Sequence, residues 1–164
     1  MTARTRRTLT LLATLAIGAA AGAYAAAAVH TTVPPAAVRL PLAAQNNPTG
    51  ARGRTLGLTK VTIPPGTKLA LHYHPGTQVA YIASGRLTYS VKKGHVTVMT
   101  GPADTLGKVV SRIGPGQTGA IDAGDWIVEQ PTVVHSGANN GRTPVVIYLA
   151  TLFPIGAAAA IPVK

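Results

Sequence analysis

From residue 53 onward the chain is a succession of short apolar runs separated by Gly- and Pro-bearing turns. The runs predict strands over Thr55–Ile63, Lys68–His74, Gln78–Ala83, Arg86–Val91, Val96–Thr100, Gly119–Ile121, Trp126–Glu129, Val133–Ser136 and Val145–Phe153. Val, Ile, Thr and Tyr dominate them, which suits a pleated surface packed on one side. The turns are Pro64-Pro65-Gly66, Pro75-Gly76, Ser84-Gly85, Lys93-Gly94, Gly114-Pro115-Gly116, Ala123-Gly124 and Asn140-Gly141. Many short strands at regular spacing predict a single all-β domain, a sandwich or a barrel, in which antiparallel closure removes most sheet edges. Arg86–Val91 and Val96–Thr100 read as one hairpin. Gly101–Gln117 reads as a loop carrying Lys108 and Arg112, either a solvated surface loop or a cover over the barrel mouth that draws in an anion.

The ends of the chain lack this pattern. Residues 26–52 are rich in Ala, Pro, Thr and Asn and read as a linker with one edge strand near Ala37–Leu42. Residues 154–164 read as a C-terminal tail whose apolar side chains pack on the domain edge. The start is an address rather than a fold. Arg4, Arg6 and Arg7 precede an uncharged stretch from Thr8 to Val29, and Ala23-Tyr24-Ala25 gives the small-x-small pattern of a cleavage site. This predicts an export signal over residues 1–25 and a periplasmic or extracellular protein with no stable membrane insertion once the signal is cut, with an uncleaved membrane anchor as the other reading. Arg6-Arg7 resembles part of a twin-arginine signal, so the general secretory and twin-arginine routes both stay open.

Composition narrows the classes. The 164 residues include no cysteine, which excludes disulfides and thiolate-bound zinc. An apolar share of 46% argues against extended disorder, and frequent Gly and Pro argue against a coiled coil. Fifteen Lys and Arg stand against four Asp and Glu, a formal charge of +11. That favours anionic surfaces or substrates. Aromatics at 4% do not interleave with the basic residues, so nucleic acid is not an expected partner.

The candidate chemistry lies in histidines. His72 and His74 are two apart on a predicted strand, so both imidazoles leave the same face. The chain reverses at Pro75-Gly76, and Gln78 opens the next strand facing back toward them. His135 lies on a distant strand. Three imidazoles and an amide oxygen meeting inside a barrel would form a site for a first-row transition metal. His30, in the linker, and His95, at a turn, read as exposed. Tyr73 should face away from the two histidines, and Tyr81 is open to either face. Trp126 reads as core. Glu129 reads as an exposed strand position, with a partner or base role for the site as the other option.

Gly66-x5-His72-x-His74-x3-Gln78-x6-Gly85 resembles the first motif of the cupin superfamily, with Gln78 where the family usually has Glu. Gly124, His135 and Asn139 stand at the spacings of the second motif; Pro131 falls one place late and Val133 takes the expected glycine position. The resemblance covers residues 53–153. It implies a cupin-type jelly-roll barrel, or double-stranded β-helix, with His72, His74, Gln78 and His135 as ligands of a divalent transition metal: Fe, Mn, Ni, Cu or Zn. A neutral Gln leaves the ion's charge less compensated than Glu would, so such a metal welcomes an anionic ligand. The other readings are that Gln78 does not ligate, or that the pocket holds an organic ligand instead of metal. Two functions follow. One is an exported, oxygenase-type metalloenzyme acting on a small anionic or enolic organic substrate. The other is a non-catalytic module that binds a small ligand or metal. Metal-independent sugar epimerisation ranks last, for lack of a clear base–acid pair. No catalytic residue is assigned. Cupins are often dimers through edge strands, which extends to this chain the expectation of a homodimer.

Overall fold

The computed structural model describes residues 35–102, 105 and 107–164. The export-signal reading and His30 lie outside these residues. Among the described residues there are twelve strands and no α-helix, and no helix is long and apolar enough to cross a membrane. The strands are β1 (Val38–Asn46), β2 (Arg54–Ile63), β3 (Lys68–Tyr73), β4 (Thr77–Ser84), β5 (Arg86–Lys93) and β6 (Val96–Thr100). They continue with β7 (Lys108–Ile113), β8 (Thr118–Asp122), β9 (Asp125–Glu129), β10 (Val134–Ala138), β11 (Val145–Pro154) and β12 (Ile161–Pro162).

Two antiparallel sheets face each other. One has seven strands in the order β1-β2-β11-β4-β9-β6-β7, and the other has five in the order β12-β3-β10-β5-β8. This is the jelly roll that the motif pattern implies. Period-2 alternation builds the interior: Val61 and Ile63, Ala80 and Ile82, Leu87 and Val91, Val96 and Val98, and Ile147 and Leu149 are all buried. Their alternate neighbours Leu56, Leu58, Val79, Tyr81, Tyr148 and Leu152 stay exposed on the outer face of the larger sheet.

Four features differ from the sequence expectation. β5 and β6 do not form a hairpin. β5 pairs with β8 and β10, while β6 crosses to the other sheet and pairs with β7 and β9. The positive φ of Gly94, +78°, turns the chain between the layers. Lys108–Ile113 is an edge strand rather than a loop; only Ile113 in it is buried, so its sequence carries little apolar alternation to read. The edge strand expected near Ala37–Leu42 runs on as β1 to Asn46 and pairs along β2. In the tail, Ile161 pairs with Tyr73 and Pro162 with His72, which makes β12 an edge of the smaller sheet.

Asn139, a motif position, and Gly76, between two motif positions, have structural work. Asn139 is fully buried and ties its own loop to the end of β2: its Nδ2 donates to the carbonyls of Ile63 and Thr143, and its Oδ1 accepts from the Gly141 amide. Gly76 lies so close to β11 that a Cβ there would sit 2.4 Å from the Leu152 carbonyl oxygen. Only glycine lets the chain between His74 and Gln78 turn against that strand.

Candidate metal centre

His72, His74 and His135 are all buried, and the sheet geometry brings them together. His135 on β10 pairs in register with His72 on β3, and His74, two residues on and just past the end of β3, lines the same cavity. The three ring pairs have centroid separations of 4.4 to 5.1 Å. One candidate ligand nitrogen from each lies within 4.8 Å of the others. Gln78, also buried, comes from β4 of the facing sheet and lines the same cavity. All four residues singled out in the sequence thus converge between the sheets.

Backbone carbonyls set the tautomers. His72 Nδ1 lies 2.7 Å from the Ala70 oxygen, and His74 Nδ1 lies 2.7 Å from the Ala159 oxygen. A carbonyl only accepts, so each Nδ1 donates and the neutral ring leaves its Nε2 lone pair free. His135 Nδ1 makes a longer contact of 3.4 Å with the Val133 oxygen. Burial pushes the His135 ring down to about 4, and burial also lowers His74, so both rings are neutral near pH 7.

Glu129 is the residue the sequence reading placed wrongly. It is 3% exposed, not a surface position. Asp125, Ile127 and Glu129 alternate on the inner face of β9, and the core residue Ile127 two places earlier was the available signal. Its Oε1 lies 3.0 Å from His135 Nε2 and its Oε2 lies 3.7 Å from His74 Nε2. The Tyr89 hydroxyl donates to Oε1 at 2.6 Å, and Gln78 Nε2 donates to Oε2. Burial pushes the Glu129 carboxyl up, but His135 and His74, when protonated, and these two hydrogen-bond donors bring it below its ordinary value. Burial, with the Glu129 charge beside it, raises the Tyr89 phenol, which keeps it a proton donor. Tyr89 also stacks on His135, with centroids 4.8 Å apart and planes at 18°.

Three further expectations meet the structure here. Tyr81 faces outward and His95 is exposed. Trp126 is not core: it is half-buried on the outer side of β9, donating from Nε1 to the Gly101 carbonyl. Arg39 is a residue the sequence gave no reason to choose. It pairs with Val61 of the core face, lines the cavity, and is itself exposed, so it stands at the mouth.

The residues fit a metal ion. The free Nε2 lone pair of His74 faces a carboxylate oxygen at 3.7 Å in a buried space, and acceptor facing acceptor repels unless a cation lies between them. Gln78 Oε1 is in addition buried without a hydrogen-bond partner. The cavity measures about 40 Å³. At roughly 10–15 Å³ of such volume per water, it has room for an ion and a few small ligand atoms.

Comparison with known proteins agrees with this architecture. A family model described as a cupin domain matches residues 59–103, the segment that contains His72, His74 and Gln78. The fold is similar to that of a cupin 2 domain-containing protein from Halorhodospira halophila, with 14% identity, a TM-score of 0.50, and coverage of 83% of this chain and 76% of that one. A cupin superfamily protein from Desulfitobacterium hafniense is 11% identical, with a TM-score of 0.48 over 74% of this chain and 82% of that chain. A mutant oxalate decarboxylase from Bacillus subtilis is 23% identical, with a TM-score of 0.43, over 66% of this chain and 24% of its own length. No curated protein matches the sequence. The chain thus matches a cupin domain model over residues 59–103 and has the fold of a cupin jelly roll.

Proposed function

We propose that this cupin-fold chain is an exported protein that holds a divalent transition metal on His72, His74 and His135 and presents it to a small organic anion. The observation that carries the reading is the convergence of three imidazoles, two of them fixed by backbone carbonyls with Nε2 free. A metal bound there would supply Lewis acidity and open positions for substrate and O2, the basis of an oxygenase-type activity. The chain's own residues do the rest. The apolar walls formed by Val61, Leu87, Ile127 and Leu149 limit water. Arg39 at the mouth supplies a cation to an entering carboxylate or enolate. The small cavity restricts what enters to a few-atom fragment or the tip of a larger molecule.

A non-catalytic binding module is the second reading. It is favoured by Glu129, whose carboxylate already accepts hydrogen bonds from two donors and so is a weak proton acceptor. Elemental analysis of protein purified from its native compartment, followed by oxygen uptake with a panel of small carboxylates and enols, separates the two. Turnover abolished by His135→Ala supports the enzyme; stoichiometric binding without turnover supports the module; absence of any metal refutes the metalloenzyme and leaves only a module that binds an organic ligand. Export is supported by the Arg-led apolar start and the Ala23-Tyr24-Ala25 pattern, and the N-terminal sequence of the secreted form tests it. Exposed Leu56, Leu58, Tyr81 and Tyr148 on one sheet face support a homodimer, which sedimentation measures.

A further inference from the structure

The cupin motif places its carboxylate at the position held here by Gln78, yet the site still contains a carboxylate. Gln78 on β4 and Glu129 on β9 are direct cross-strand partners. Their side chains share one buried face, and Gln78 Nε2 donates to Glu129 Oε2. The charge missing from one strand is present on its neighbour.

We propose that Glu129 is the anionic ligand of the metal, and that Gln78 is a positioning residue that holds its carboxylate toward His74 and His135. The inference rests on the metal-site reading above. Three observations carry it. First, for metal–ligand bonds of about 2.0–2.1 Å, adjacent ligand atoms lie about 2.9–3.4 Å apart. Glu129 Oε1, 3.0 Å from His135 Nε2, falls within that range, while Oε2, 3.7 Å from His74 Nε2, lies just beyond it, a gap that ion binding would close. Second, Nε2 of His74 is an acceptor in the neutral ring, because Nδ1 donates to the Ala159 carbonyl. A carboxylate oxygen turned toward that lone pair is stabilised by a cation between them. Third, the carboxylate is held by two donors from two strands, Tyr89 on β5 and Gln78 on β4, as ligating carboxylates usually are. With Glu129 bound, a divalent ion on three neutral imidazoles keeps one net positive charge, the same as with the motif glutamate. Gln78 is then no loss of a ligand but the partner that the relocated one requires.

The test is a titration of the metal-free full-length protein with Co2+, following affinity and the visible absorption bands of the bound ion. The variants are Glu129→Gln, Glu129→Asp, Gln78→Glu with Glu129→Gln, and His135→Ala. Loss of a ligand should exceed the 10–100-fold effect typical of residues that only orient ligands. Glu129→Gln is therefore expected to weaken binding by about 100-fold or more and to shift the bands. Glu129→Asp keeps the charge but withdraws it by one methylene, and should fall between. The double variant returns the carboxylate to β4 and should recover most of the affinity. Wild-type affinity and unchanged bands in Glu129→Gln would overturn the inference while leaving the metal site standing, because His135→Ala would still lose binding. If neither wild type nor His135→Ala binds Co2+, the metal reading fails and this inference with it.

Discussion

Tyr89→Phe removes one oxygen and leaves the ring stack on His135 in place. The hydroxyl is one of two donors to the buried Glu129 carboxylate. A hydrogen bond to a charged group contributes about 1.5–3 kcal/mol, and leaving a buried charge short of a donor puts the cost in the upper part of that range. The cavity offers little relief, because the lost oxygen is replaced by a gap among apolar walls that include Leu87 and Ile127. In the metal-free protein, with chelator present, urea unfolding should therefore show a loss of about 2–3 kcal/mol at constant m-value. The thermal midpoint should fall by roughly 4 °C for each kcal/mol lost. The cost belongs to the charge, so it should shrink to about 1 kcal/mol or less when Glu129→Gln is already present. The coupling energy of the double-mutant cycle is then about 1–2 kcal/mol. Additive single-variant effects would show that Tyr89 does not act through the Glu129 charge, and unchanged stability would show that the carboxylate is not held as described.

Asn139→Leu keeps the volume but strands the carbonyls of Ile63 and Thr143 and the Gly141 amide, and should cost about 3–5 kcal/mol in urea unfolding. In the metal-free protein, His135 is lowered to about 4 in the folded state against an ordinary 6.5 when unfolded. The unfolded chain then binds more protons between those values, so stability should be intact above about pH 6.5 and fall by roughly 3 kcal/mol as pH drops to 4. His135→Ala should flatten that slope in a pH series of denaturation curves. Deleting residues 157–164 removes the Ala159 carbonyl that orients His74 and the β12 edge of β3. It should weaken metal affinity about 10–100-fold while circular dichroism keeps its all-β form. Arg39→Ala should weaken binding of small carboxylates to the metal-loaded protein without changing metal affinity, as read by calorimetry.

The histidines and the sheet architecture were legible because both depend on local periodicity. Two residues apart on a strand means one face, so His72 and His74 could be paired without knowing the fold, and buried alternation marked β2, β4 and β11 directly. What escaped depends on pairing between distant segments. β7 has a single buried residue, so no apolar alternation marked it, and the β5–β6 crossing is set by which sheet each strand joins rather than by the turn between them. The charge of Glu129 suggested an exposed position. Its burial follows from cross-strand register with Gln78, which only the assembled sheet provides. Arg39 and Ala159 were hidden for the same reason: both act at the site from the ends of the chain, where the sequence shows little regular pattern.

The central claim is that the imidazoles of His72, His74 and His135 bind one ion between the sheets. X-ray absorption on the metal-loaded full-length protein reads this directly, since imidazole rings give characteristic outer-shell scattering. The account predicts a fit to three imidazoles in the wild type and two in His135→Ala. A spectrum with no imidazole scattering, or one that His135→Ala leaves unchanged, would contradict it.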